Sequence, residues 1–176
     1  MSIITYEAMC YARLRHGKQL RKYTFDPYVV HLAEVAAIVQ TVASEQKDVH
    51  PDTMIGVAWC HDLIEDTDTL AQELEEKFNK DFSFGVLLLS DLETGNRATR
   101  KQLARERLGS APGWVQSIKL ADLISNTPSI VKHDPNFAIV YVREVTAYLE
   151  VLTVGDNRLK DMLVNVLNES RKTPSY

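Results

Sequence analysis

Residues 58–69 read AWCHDLIEDTDT and concentrate chemistry that a buried helix ordinarily avoids. His61, Asp62, Glu65 and Asp66 crowd together, with Ile55, Ala58, Trp59 and Leu63 supplying apolar surface around them. On a helix, His61 and Glu65 are four apart, as are Asp62 and Asp66, so the two pairs run along adjacent rows of one side. Carboxylates crowded this way repel one another and, if buried, lose hydration, which raises their pKa values and costs stability. A divalent cation offsets that more fully than a single Lys or Arg. An adjacent His–Asp pair offers one imidazole nitrogen and one carboxylate oxygen, a donor set suited to a first-row divalent ion such as Mn²⁺.

Two further segments supply candidates to complete a site. His31 lies near the apolar stripe of PYVVHLAEVAAIVQTVAS, three residues from Tyr28 and four from Val35. In VQSIKLADLISNT, residues 115–127, the polar Lys119, Asp122 and Asn126 fall on one line between Ile118, Leu120, Ala121, Leu123 and Ile124. A polar line enclosed by apolar neighbours faces a functional interior more often than bulk water. His31, His61, Asp62 and Asp122 then form a two-His, two-Asp metal set with room for water or substrate. Each member also has a plainer reading. His31 alone fits a satisfied core histidine, EDTDT an acidic helix end, and Asp122 a partner for Lys119 one turn away. It is the three segments together that favour the metal.

The elements that must position these residues are helical throughout. Apolar positions recur at spacings of three and four over 2–16, 27–47, 51–65, 69–79, 82–92, 97–109, 112–132, 135–153 and 157–170. Pro27 suits the first turn of the second segment, Pro51 and Asp52 open the third, and Asp156 or Asn157 caps the last. Alternating strand patterns are absent. The expectation is an all-α, single-domain bundle of about eight or nine helices over 1–176. At 176 residues the chain is long enough to bury its own core, and 45% apolar with 25% charged residues is ordinary for a globular domain. No apolar run reaches membrane-spanning length, and no signal segment opens the chain. Cys10 and Cys60 read as reduced core thiols, which with the missing signal points to the cytoplasm. A net charge of −4 argues against a nucleic-acid partner, so an anionic ligand needs positive charge gathered locally.

The pattern His31 … His61-Asp62 … Asp122 resembles the HD superfamily of metal-dependent phosphohydrolases. RHGKQLRKYTFDPYVVH (15–31), AWCHDLIEDTDT (58–69) and IKLADLISNT (118–127) narrow the likeness. They resemble the hydrolase domain of RelA/SpoT-type proteins and the stand-alone small alarmone hydrolases. The resemblance implies that His31, His61, Asp62 and Asp122 hold one Mn²⁺, and that Glu65 and Asp66 position and activate water. It further implies that Arg21 and Lys22 grip substrate phosphates, against the plainer reading of a solvated helix end, and that Asn126 lies near the nucleotide sugar. Lys119, on the same line, would hold Asp66 or Asp122. The implied reaction is hydrolysis of the 3′-pyrophosphate of ppGpp or pppGpp to GDP or GTP plus pyrophosphate, with no synthetase or regulatory domain attached.

The chain departs from the family pattern at YTFD after Lys22, which lacks the common Gly, and at SDLETGNRATRKQLARER. The second stretch carries Arg97, Arg100, Lys101, Arg105 and Arg107. It reads either as a second phosphate clamp, to which Arg97 or Arg100 contributes, or as a solvated basic face. Tyr141 has two readings as well: closure over the base, or core packing. Two other functions stay open, an HD-class hydrolase of another phosphorylated nucleotide (an adenine alarmone, a 3′-phosphorylated cofactor or a nucleoside monophosphate) and a non-catalytic nucleotide-binding module. In each case the partner is a small nucleotide.

Overall fold

A computed structural model describes residues 2–172, and in them the all-α expectation holds. The helices are α1 (Ile3–His16), α2 (Val29–Gln40), α3 (Pro51–Cys60), α4 (Leu63–Asp66), α5 (Ala71–Lys77), α6 (Lys80–Leu89), α7 (Arg97–Gly109), α8 (Gly113–His133), α9 (Pro135–Val151) and α10 (Asn157–Lys172). A 3-10 turn, Ala43–Glu45, follows α2. No strand forms among the described residues; Leu20 and Pro27 make an isolated bridge. Nor is any described helix long and apolar enough to cross a membrane.

α8 is the axis. It is buried nearly all round, through Trp114, Val115, Ile118, Leu120, Ala121, Leu123 and Ile124, and packs against α2, α9 and α10. Against α6 the approach is close: a Cβ on Gly85 would lie 2.3 Å from the Trp114 ring, so a side chain there would force the two helices apart. Gln116, fully buried, ties two turns to the axis. Its amide nitrogen donates to the carbonyls of Leu108, Gly109 and Ala111, and its oxygen accepts from the backbone N–H groups of Val154 and Gly155. Pro128 removes one donor from the ladder, yet α8 continues to His133.

Three expectations change in detail. The segment 27–47 shortens to Val29–Gln40 plus the 3-10 turn, and Pro27 sits in the bridge before the helix. The segment 51–65 is broken at His61–Asp62, because Asp62 takes φ −97° and ψ 0° and ends the regular ladder. α4 is then a single turn, closed by the Thr67 hydroxyl donating to the Leu63 carbonyl at 2.6 Å. Cys60 is buried as expected, whereas Cys10 is exposed on the outer face of α1. Finally, the Gly missing from YTFD has a structural counterpart: Phe25 adopts φ +59°, the left-handed conformation a Gly would take without strain. Asp156 caps α10 as expected, its Oδ1 accepting from the Arg158 N–H at 2.9 Å.

Candidate metal centre

α2, the α3–α4 break and α8 converge on one point. The break matters there, because it turns His61 and Asp62 together toward α8. His31 Nε2 lies 3.5 Å from Asp62 Oδ2 and 3.3 Å from Asp122 Oδ1. His61 Nε2 lies 3.0 and 3.7 Å from the same two oxygens. His31, His61 and Asp122 each offer a ligand atom within a 4.8 Å cluster.

The outer nitrogen of each imidazole is tied back. His61 Nδ1 is 2.9 Å from the Ala58 carbonyl oxygen, which can only accept, so Nδ1 carries the proton. His31 Nδ1 is 2.9 Å from Ser125 Oγ, whose own proton goes to Glu34 Oε2 at 2.6 Å. Ser125 therefore accepts, and His31 Nδ1 also donates. In their neutral form both rings then aim Nε2 lone pairs at the two carboxylates. Both Nε2 atoms are buried and lack a hydrogen-bond partner. Two nitrogen lone pairs and two carboxylates facing a common centre repel unless a cation sits between them, so these residues fit a divalent metal. Protons are the other way to supply that charge. Burial alone would lower the pKa of His61, but Asp62 and Asp122 outweigh it and raise it to about 10. His31 is raised against its own burial by the same two carboxylates.

The carboxylates are held in turn. The Tyr28 hydroxyl donates to Asp62 Oδ2 at 2.6 Å. Burial, then the neighbouring Asp62, pushes that phenol far above its ordinary range, so it stays a donor. Asp122 accepts from Lys119 Nζ at 2.8 Å and from Asn126 Nδ2 at 2.7 Å, so the polar line of α8 is a hydrogen-bonded unit.

Beside this centre opens a cleft of about 200 Å³, lined by Asp62, Glu65, Asp91, Lys119, Asn126 and Tyr141 among others. Glu65 Oε2 accepts from the Asp91 N–H at 2.9 Å. Glu65 is exposed as a residue, yet partial desolvation of its carboxyl in the cleft, with Asp62 and Asp91 nearby, pushes it up to about 7. Asp66 is exposed and stands outside the cleft lining, its Oδ2 accepting from Gln19 Nε2 at 2.8 Å.

Of the basic pair, Arg21 donates to Glu34 at 3.1 Å and to Asn126 Oδ1 at 3.2 Å, which joins it to the cleft edge. Lys22 points elsewhere: it is 75% exposed, beside Tyr23 and 3.9 Å from Asp134. Arg97 lines the cleft, bound through two 2.7 Å hydrogen bonds to Glu144 and lying 4.8 Å over the Phe137 ring. Arg100 is on the exposed side of α7, outside the cleft lining. Tyr141 lines the cleft and packs against the core.

Several residues escaped sequence reasoning. Ser125 and Glu34 orient His31, and Tyr28 orients Asp62; only their positions beside named ligands hinted at this. Lys101 donates to Asp91 at 2.6 Å, and Arg107 reaches Glu93 at 2.7 Å, Asp91 at 3.2 Å and the Leu88 carbonyl. This part of the basic face of α7 is thus used internally, strapping down the acidic turn that carries the Asp91 N–H.

No family model matches the chain. The chain is similar to the Drosophila melanogaster protein named guanosine-3′,5′-bis(diphosphate) 3′-pyrophosphohydrolase MESH1, at 28% identity over 130 residues, 73% of this chain and 70% of the relative. It is also similar to the GTP pyrophosphokinase rsh of Brucella ovis, at 32% identity over 165 residues. That match covers 89% of this chain but only 20% of the rsh protein, so the chain spans about one fifth of that relative. Among solved structures, it superposes with a TM-score of 0.84 and 24% identity on one described as "A metazoan ortholog of SpoT hydrolyzes ppGpp and plays a role in starvation responses", with 96% of each chain covered.

Proposed function

We propose, on the premise that this chain is a relative of the stand-alone ppGpp 3′-pyrophosphohydrolases and of RelA/SpoT-type hydrolase domains, that it hydrolyses the 3′-pyrophosphate of ppGpp or pppGpp. The products are GDP or GTP and pyrophosphate. The observation that carries this reading is the pair of buried, unpartnered Nε2 atoms facing two carboxylates at the mouth of a polar cleft.

His31, His61, Asp62 and Asp122 would hold one divalent ion, with Mn²⁺ the ion of choice for this nitrogen–oxygen donor set. Such an ion supplies Lewis-acid neutralisation of phosphoryl oxygens and activation of water. The chain's own groups do the rest. Glu65, with a pKa of about 7, is available as base and as acid near neutral pH. It takes a proton from water as the water oxygen bonds to the 3′-linked phosphorus. The bond from that phosphorus to the ribose O3′ breaks, and the proton is delivered to O3′. Asp66, outside the cleft lining, would complete the acidic pair by helping to orient the water.

Asn126 and Tyr141 receive the nucleoside, Arg21 supports Asn126 at the cleft edge, and Lys119 fixes Asp122. Arg97 meets the outer phosphates, while Lys22, directed toward Asp134 outside the cleft, and Arg100 on α7 add positive potential only. The partner is this small nucleotide and the location the cytoplasm.

The test is product analysis of purified protein with Mn²⁺ and ppGpp, beside ppApp and a nucleoside monophosphate, with Asp66→Asn as control. GDP and pyrophosphate from ppGpp, absent in the variant, support the assignment. No turnover of ppGpp by metal-loaded protein would sink it.

A further inference from the structure

Next to the candidate metal centre lies a third buried histidine, one that the proposed chemistry leaves unused. His16 ends α1 and is 6% exposed. Its ring stacks on Tyr28, centroids 4.8 Å apart, and Tyr28 is the phenol that holds Asp62. His16 Nδ1 is 2.8 Å from Gln19 Oε1. Gln19 Nε2 in turn donates to Asp66 Oδ2 at 2.8 Å, the only side-chain hydrogen bond Asp66 makes among the described residues.

These contacts fix each other's polarity. A carboxylate only accepts, so the Gln19 amide must turn its NH₂ to Asp66 and its oxygen to His16. That oxygen also only accepts, so His16 Nδ1 carries the proton. The backbone leaves Gln19 little freedom: its N–H donates to the His16 carbonyl and its own carbonyl accepts from the Tyr28 N–H, both at 2.9 Å. Gly17, at φ +53°, makes the sharp turn between them. His16 Nε2, meanwhile, is buried without any partner. A phenylalanine would stack on Tyr28 equally well and leave no orphaned nitrogen. What phenylalanine lacks is the Nδ1 proton.

We propose that His16 and Gln19 are a positioning pair, in which the His16 Nδ1–H locks the Gln19 amide in the one orientation that holds the otherwise free Asp66 carboxylate, one helical turn after Asp62. Without the lock the amide rotates and turns its oxygen on the carboxylate, which swings into solvent. This inference rests on the reading of Asp66 as one of the catalytic acids.

The experiment compares Gln19→Leu, His16→Phe and His16→Asn with wild type and Asp66→Asn. His16→Asn sets an amide NH₂ close to where Nδ1–H stood; His16→Phe keeps only the stacking. Gln19→Leu and His16→Phe lower kcat on ppGpp about 10- to 100-fold, the usual cost of losing an orienting partner, with KM and Mn²⁺ affinity unchanged. His16→Asn recovers most of the loss. A merely structural role predicts His16→Asn no better than His16→Phe, with activity tracking the melting temperature, and would overturn the proposal. So would an active wild type with full activity in Gln19→Leu or in Asp66→Asn. Hydrogen exchange of the Gln19 side-chain amide by NMR gives a readout independent of turnover: protection in wild type, lost in His16→Phe. If wild type fails on ppGpp, the proposed function falls while this readout still decides the pair, and absent protection overturns it.

Discussion

Asp122 is where the ion pair, the hydrogen bonds and the candidate metal site meet, so Asp122→Asn tests several arguments at once. Its Oδ2 pairs with Lys119, and the two side chains are 8% and 13% exposed. Burial alone would lower the pKa of Lys119, yet Asp122 and then Asp91 hold it well above its ordinary value. The asparagine keeps the shape and the hydrogen bond to Asn126 but leaves a buried ammonium without its main counter-charge. Breaking a buried pair costs roughly 3–5 kcal/mol. The lower end applies, because Asp91 still faces Lys119. At about 2–4 °C per kcal/mol for a chain of this size, a loss of about 3 kcal/mol lowers Tm by about 6–12 °C.

The assay is thermal unfolding in chelator and in excess Mn²⁺. At a hundredfold excess over Kd the ion stabilises wild type by about 2.7 kcal/mol, and most of that gain disappears in the variant. Adding Lys119→Met to Asp122→Asn removes the stranded charge and recovers about 2 kcal/mol of the chelator loss. Asp122→Asn within about 2 °C of wild type in chelator, and still gaining fully with Mn²⁺, would refute both the buried pair and the ligand assignment.

Glu65→Gln removes the group that titrates at about 7, so the rising limb of the pH–rate profile near neutrality vanishes and kcat falls by about 10²–10⁴-fold; an unchanged limb would count against Glu65 as the base. Because the folded pKa of Glu65 lies above its ordinary value, the unfolded chain binds fewer protons between the two. Metal-free protein therefore loses stability as pH rises through that window toward 7, and Glu65→Gln flattens the fall, as urea midpoints at pH 5 and 8 in chelator would report. Mn²⁺ binding at pH 7 displaces a proton from His61, raised to about 10, so affinity increases with pH; calorimetry in buffers of different ionisation enthalpy checks this, and heats independent of buffer would contradict it. Ser125→Ala takes away the acceptor for His31 Nδ1 and weakens Mn²⁺ binding about tenfold, with little change in chelator Tm.

The helices and the polar line of α8 were legible in the sequence because each rests on local spacing, whereas the joining of His31, His61 and Asp62 to that line came from the family resemblance. Lys119, Asp122 and Asn126 share a line on α8 because three and seven residues span one and two turns, and the structure keeps them together. The break at Asp62 was not legible. Nothing in CHDLIED forbids a continuous helix, and only tertiary contact with α8 and Tyr28 favours bending it there. The fate of α7 was equally hidden. A run of arginines looks the same whether it meets phosphate, water or an acidic turn, and only the fold brings Asp91 and Glu93 within reach of Lys101 and Arg107. His16 and Gln19 lay inside a quoted motif, but their link to Asp66 crosses 47 residues, which no local period can register.

The charge arrangement of the cleft ties these features to substrate. Its lining holds five carboxylates, Asp62, Glu65, Asp91, Asp122 and Glu144, against three cations, Arg97, Lys101 and Lys119. Each cation is already paired: Arg97 with Glu144, Lys101 with Asp91 and Lys119 with Asp122. The protein alone therefore offers a polyphosphate an acidic cleft, in keeping with its net charge of −4. The two imidazoles facing the Asp62 and Asp122 oxygens set the missing charge at two, carried either by protons or by one divalent ion. Protonated, they only neutralise their own carboxylates. A divalent ion supplies equal charge and an electrophile, and also returns both rings to the neutral state in which their Nε2 lone pairs are used.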